Sequence, residues 1–203
     1  MRATRTLPAH YCKVGTIDVS QNERLLLILN LAGLLIMAAA GWLFFRTAVW
    51  LRPAEFAGAL HPLQARSTPG TIGLVMSILA LFVFHILAHE AVHGIFFWIF
   101  TRSRPRFAFR WAYAYAAAPD WYIRRNPFFI TTLAPFALIS LAGLLLIAFA
   151  PTAWLLPTWF VITLNAGGAV GDLMVAGWLL RQPSTCLAQD RGDAVTLFVP
   201  EKY

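Results

Sequence analysis

Two histidines and a glutamate stand in the order His89-Glu90-Ala91-Val92-His93, inside an apolar stretch that runs from Thr71 to Phe100. On a helix, residues four apart share a face and are separated by about 6 Å of rise, so His89 and His93 can hold one cation between their imidazoles. Glu90 lies part of a turn round from them, placed to take a proton from a water that the metal activates and not to bind the metal itself. In a soluble helix this HExxH pattern arises by chance often enough to be a moderate signal. Hydrocarbon changes the odds, because Asp, Lys or Arg at the centre of a membrane helix costs roughly 2.5–3.5 kcal/mol and a polar cluster at depth needs a compensating partner. A bound cation supplies one.

Catalytic zinc typically takes three protein ligands, so a third must come from another segment. The run Asn165-Ala166-Gly167-Gly168-Ala169-Val170-Gly171-Asp172 carries the only other acidic residue expected within the membrane. If the apolar stretches leave the bilayer near Phe100 and Leu180, His93 lies roughly 10 Å and Asp172 about 12 Å of helix rise from those ends, at matching depth. Gly167 and Gly171 have the small-xxx-small spacing that lets two transmembrane helices approach closely. Two further residues stay open. Asn165 is a helix-packing amide or a member of the site. His85 continues the face of His89 and reads as an alternative ligand, a partner to a ligand, a proton relay, or an imidazole hydrogen-bonded to a neighbouring helix.

The elements that must position these residues are transmembrane helices. The 203 residues are 59% hydrophobic and only 12% charged, with mean hydropathy +0.65, far from globular usage. Four stretches are long enough to cross about 30 Å of hydrocarbon: residues 25–50, 71–100, 128–150 and 154–180. The first is too long and too late for a cleaved signal peptide, so it is expected to stay in the mature chain. The expected fold is an all-α integral membrane protein of four transmembrane helices, one membrane domain over residues 1–203. Of the 16 Lys and Arg, all but Arg46, Arg52 and Arg66 lie in the N-terminal arm, between the second and third spans, or in the tail 181–203. The positive-inside rule then puts both termini in the cytoplasm. The net charge of +7 serves topology and contact with anionic lipid, and no nucleic-acid-reading motif accompanies it. Cys12 and Cys186 both fall on the cytoplasmic side, where a disulfide is not expected.

Between the second and third spans, Phe107, Phe109, Trp111, Tyr113 and Tyr115 alternate with small or basic residues, the period of a β-strand. A turn at Pro119-Asp120 and a return strand at Trp121-Tyr122-Ile123 would make an interfacial hairpin over about 102–126. It serves as an aromatic anchor at headgroup level, or as an edge that takes an extended substrate by strand addition. Pro135 should kink the third span, and Asp190 and Asp193 read as solvated tail residues.

The sequence His89-Glu90-Ala91-Val92-His93-Gly94, followed after a Pro-containing span by an Asn…Gly-Asp run, resembles a family of bacterial multi-pass membrane proteins described as putative zincin peptidases. More distantly it is similar to the site-2 protease group of intramembrane metalloproteases. That resemblance implies zinc, one ion per chain, with Asp172 as ligand and Asn165 positioning substrate. The chain departs from the site-2 pattern where Asp172 follows Gly171 and precedes Leu173, in place of an Asn-Pro-Asp-Gly or Leu-Asp-Gly run. The expected function is intramembrane zinc proteolysis of a membrane-protein or peptide substrate in a bacterial cell membrane. The alternatives are a non-catalytic metal protein serving as sensor, transporter or inactive relative, and a scaffold without metal.

Overall fold

A computed structural model describes residues 3–60, 68–109 and 114–201, the side chains of 68 and 69 excepted. Its long helices follow from uninterrupted apolar sequence. Helix α1 (Glu23–Leu51) is opened by Asn22, whose Oδ1 accepts from the Leu25 amide at 2.9 Å. A short helix α2 (Pro53–Leu60) follows, then α3 (Thr68–Thr101), which carries the HExxH residues and ends on Arg102 with φ 56°, the left-handed position common after a helix. Helix α4 (Arg125–Phe149) contains Pro135. Helices α5 (Leu155–Gly168) and α6 (Val170–Leu180) meet at a bend of 47°.

Among the described residues three helices, α1, α3 and α4, are long and apolar enough to cross a membrane, or four spans if α5 and α6 count as one. Their outer faces bear exposed Leu35, Trp42, Leu79, Val83, Phe84, Leu141 and Leu145, surfaces that hydrocarbon covers without cost.

The expectation of an all-α fold is corrected by two sheets. Strands β1 (Ala3–Thr4), β2 (Tyr11–Asp18), β5 (Tyr122–Arg124), β6 (Leu187–Asp190) and β7 (Ala194–Pro200) form one sheet in the order β1-β5-β6-β7-β2, and each paired edge is antiparallel. The N-terminal arm and the tail are therefore structured, Tyr11 facing Pro200 and Asp18 facing Ala194. Strands β3 (Arg106–Phe109) and β4 (Ala114–Ala117) make a separate hairpin, Phe107 opposite Ala116. The expected hairpin is displaced: the alternating run is divided between two strands, and the predicted return strand at Trp121-Tyr122-Ile123 joins the large sheet instead. Trp111 and Tyr113 lie outside the described residues.

The chain clusters into two compact units, Met1–Asn30, Glu90–Pro135 and Gly171–Tyr203 in the first, Leu31–His89 and Phe136–Val170 in the second. Helices α1, α3, α4 and α6 run through the boundaries. The core of the first joins Phe97, Phe128, Val175 and Leu179 of the helices to Ile123, Ala188 and Leu197 of the sheet. That of the second joins Phe44, Phe56, Ile147, Leu155 and Ile162. There Gly167 packs against α1: a Cβ on it would stand 2.7 Å from Met37 Cβ and 2.9 Å from the Gly33 carbonyl. Gly171 has nothing within 4 Å of such a Cβ, so the close approach that the glycine spacing predicted is made by Gly167 with the first span.

Candidate metal centre

His89 and His93 are buried on successive turns of α3. His93 Nδ1 lies 3.0 Å from the main-chain carbonyl of Thr131 in α4. A helix normally spends that carbonyl on the amide four residues later. Here the residue four later is Pro135, which has no N–H, so the chain itself leaves Thr131 O for the imidazole. A carbonyl only accepts; His93 Nδ1 therefore carries a proton, and Nε2 is the nitrogen left to face Asp172. His89 is arranged in the same way, its Nδ1 3.0 Å from Oδ1 of Asn165, which is itself fully buried and donates from Nδ2 to the Phe136 carbonyl at 3.5 Å.

Asp172, in the first turn of α6, meets the other ring nitrogen of His93: its Oδ1 is 3.4 Å from Nε2. One ligand atom from each of His89, His93 and Asp172 lies within 4.8 Å of the others. An imidazole nitrogen turned toward a carboxylate oxygen calls for a positive charge between them, a metal ion or the imidazole's own proton. The set of two imidazoles and one carboxylate is a donor set suited to zinc, with Nδ1 partners of the kind that orient metal-binding histidines.

Glu90 lies beside the group with its Oε2 accepting from the Ala116 amide of β4 at 2.6 Å. The hairpin is seated by two glycines. A Cβ on Gly94 would meet Phe107 Cζ at 2.4 Å, and one on Gly192 would meet Tyr115 Cε2 at 2.2 Å. Gly192 also has φ 92° in the β6–β7 turn, where its amide donates to Asp190 Oδ1 at 2.7 Å.

Asp190 is therefore not a solvated tail residue. Burial pushes its carboxyl up from 3.8 to about 7, against the opposing pull of the Gly192 amide and His93, with Asp172 and Glu90 adding like charge. That places a third carboxyl, after Asp172 and Glu90, in the electrostatic field of the site. His85 lies one turn before His89, their rings edge to face with centroids 6.0 Å apart. Sequence reasoning missed Thr131, Ala116 and Asp190. Thr131 was accessible through Pro135, since a proline within a helix names the carbonyl it releases; nothing in the pattern marked Ala116 or Asp190.

Residues 72–187, more than half of the chain, match the family described as putative zincin peptidase. No curated protein and no solved structure matches the chain.

Proposed function

The chain belongs to the putative zincin peptidase family, and from that premise we propose that it is an intramembrane zinc metallopeptidase. It hydrolyses peptide bonds in transmembrane or membrane-proximal segments. The observation that carries the reading is the gathering of His89, His93 and Asp172 beside a carboxylate, Glu90, that a backbone amide holds. A purely structural or transport site has no use for that fourth group.

His89 and His93 present Nε2, their rings fixed through Nδ1 by Asn165 and the Thr131 carbonyl, and Asp172 supplies the anionic ligand. Zinc held there would lower the pKa of a water and polarise the scissile carbonyl. Glu90 accepts the water's proton and passes it to the leaving amine. Its bond from Ala116 N–H fixes the plane of the carboxylate. The substrate segment, opened from its helix, lies alongside the β3–β4 hairpin, which supplies main-chain partners that lipid lacks. By the positive-inside rule both termini lie in the cytoplasm.

The test is elemental analysis of detergent-purified protein together with cleavage assays. Wild type should hold one zinc per chain, and Asp172→Ala should lose it. Glu90→Gln should keep the zinc and lose about 100-fold or more in cleavage rate. Cleavage retained by Glu90→Gln sinks the mechanism, and a wild type that takes up no zinc sinks the whole reading.

A further inference from the structure

His85 is 7% exposed, and neither of its ring nitrogens has a hydrogen-bond partner among the described residues. It lies mid-helix in α3, where lipid offers no substitute for water. The neighbouring His89, by contrast, has its Nδ1 3.0 Å from Oδ1 of Asn165 in the same unit. Gly168 borders the His85 ring, and a Cβ on it would stand 3.5 Å from Cε1 and 3.7 Å from Nε2.

A neutral imidazole carries one donor and one acceptor. A peptide segment opened from its helix inside a bilayer strands the same two kinds of group, main-chain N–H and C=O, with no water to pair them. The two shortages are complementary. Resting on the metallopeptidase reading above, we propose that His85 is a substrate-binding residue whose imidazole accepts from one main-chain N–H of the opened substrate and donates to a neighbouring carbonyl. Four residues of α3, about 6 Å of rise, separate it from His89, and extended chain advances about 3.3 Å per residue, so the contact falls about two residues from the scissile bond.

The test uses the full-length, zinc-loaded protein in micelles and two series of peptide hydroxamates, one extending to each side of the zinc-binding group. Each series has an amide or an ester at its second or third main-chain linkage, the ester removing the N–H and weakening the carbonyl. Wild type should bind the amide about tenfold more tightly than the ester at one linkage, and His85→Ala should bind the two within about twofold. His85→Gln, which keeps a donor and an acceptor, should restore part of the preference, and zinc content should stay at the wild-type level in both variants. Loss of zinc from His85→Ala would make His85 a ligand and overturn the proposal. So would a wild type with no amide preference at any linkage, or a preference that persists in His85→Ala. A protein that binds the series with this preference but cleaves no peptide would lose the activity reading and keep the subsite.

Discussion

Replacing Pro135 by alanine should weaken zinc binding while stabilising the helix that carries the change. Proline leaves the carbonyl of Thr131 without a helical donor, and His93 Nδ1 occupies it at 3.0 Å. Alanine at 135 restores an N–H aimed at the same oxygen, and the imidazole loses its fixed partner. Loss of such an orienting contact typically costs 10–100-fold in metal affinity, or about 1.4–2.7 kcal/mol. The intrinsic helix preference runs the other way, up to about 3 kcal/mol in favour of alanine over proline in a helix interior. The zinc-free variant should therefore unfold at a higher temperature than wild type, while the stabilisation added by a fixed excess of zinc falls by about 1.4–2.7 kcal/mol. Chelator-competition titration gives the affinity, and thermal unfolding in micelles with and without zinc gives the two stabilities. Pro127→Ala is the control, since Pro127 sits in the first turn of α4, where an amide has no helical acceptor to find; its zinc affinity should not change. A Pro135→Ala protein that binds zinc like wild type would refute the reasoning, and one weakened in both measurements would point to general damage instead.

Three further outcomes follow from the same geometry. Asn165→Ala removes the partner of His89 Nδ1 and should lower zinc affinity about tenfold or more by the same titration, with Asn165→Asp retaining most of it. The Asp190 carboxyl titrates near 7 in the fold against 3.8 in the free side chain, so between those values the native zinc-free protein binds more protons than the unfolded chain, and its stability falls as pH rises through that window. Thermal unfolding in chelator across the window should show this slope in wild type and a flatter one in Asp190→Asn; equal slopes count against the assignment. Gly192→Ala places a Cβ at φ 92° and 2.2 Å from Tyr115 and should cost more than about 1 kcal/mol, whereas Gly58→Ala in α2 meets nothing within 4 Å and should be neutral or stabilising by up to about 1 kcal/mol.

The candidate site was more legible than the scaffold. HExxH declares itself because helical spacing alone puts His89 and His93 on one face, and Asp172 could be found because an acidic residue in an apolar span is costly enough to be conspicuous. The spans were legible for the same reason, though the break between α5 and α6 at Ala169 was not; Gly167, Gly168 and Gly171 were read as packing and not as the end of a helix. The large sheet was invisible because its partners are far apart in the chain. Tyr11–Asp18 pairs with Ala194–Pro200 across most of the chain's length, and neither strand has the long alternation that marks one locally. The conspicuous alternation, Phe107 to Tyr115, has its two ends in different strands, β3 and β4, so it does not mark one continuous strand.

The groups that fix the site share a physical origin that explains where it stands. A helix in hydrocarbon spends all its main-chain donors and acceptors on itself, so a site that needs main-chain partners must take them where that self-sufficiency is interrupted. The Thr131 carbonyl is released by Pro135, and the Ala116 amide comes from a strand, not a helix. Asn165 lies in the last turn of α5, its carbonyl accepting the amide of Ala169 at the break, and Asp172 opens the helix that follows. Each interruption would be a defect in a helix that served only as an anchor. Together they give His89, His93 and Glu90 the oriented oxygen and N–H partners that an apolar helix bearing HExxH cannot provide from its own turns.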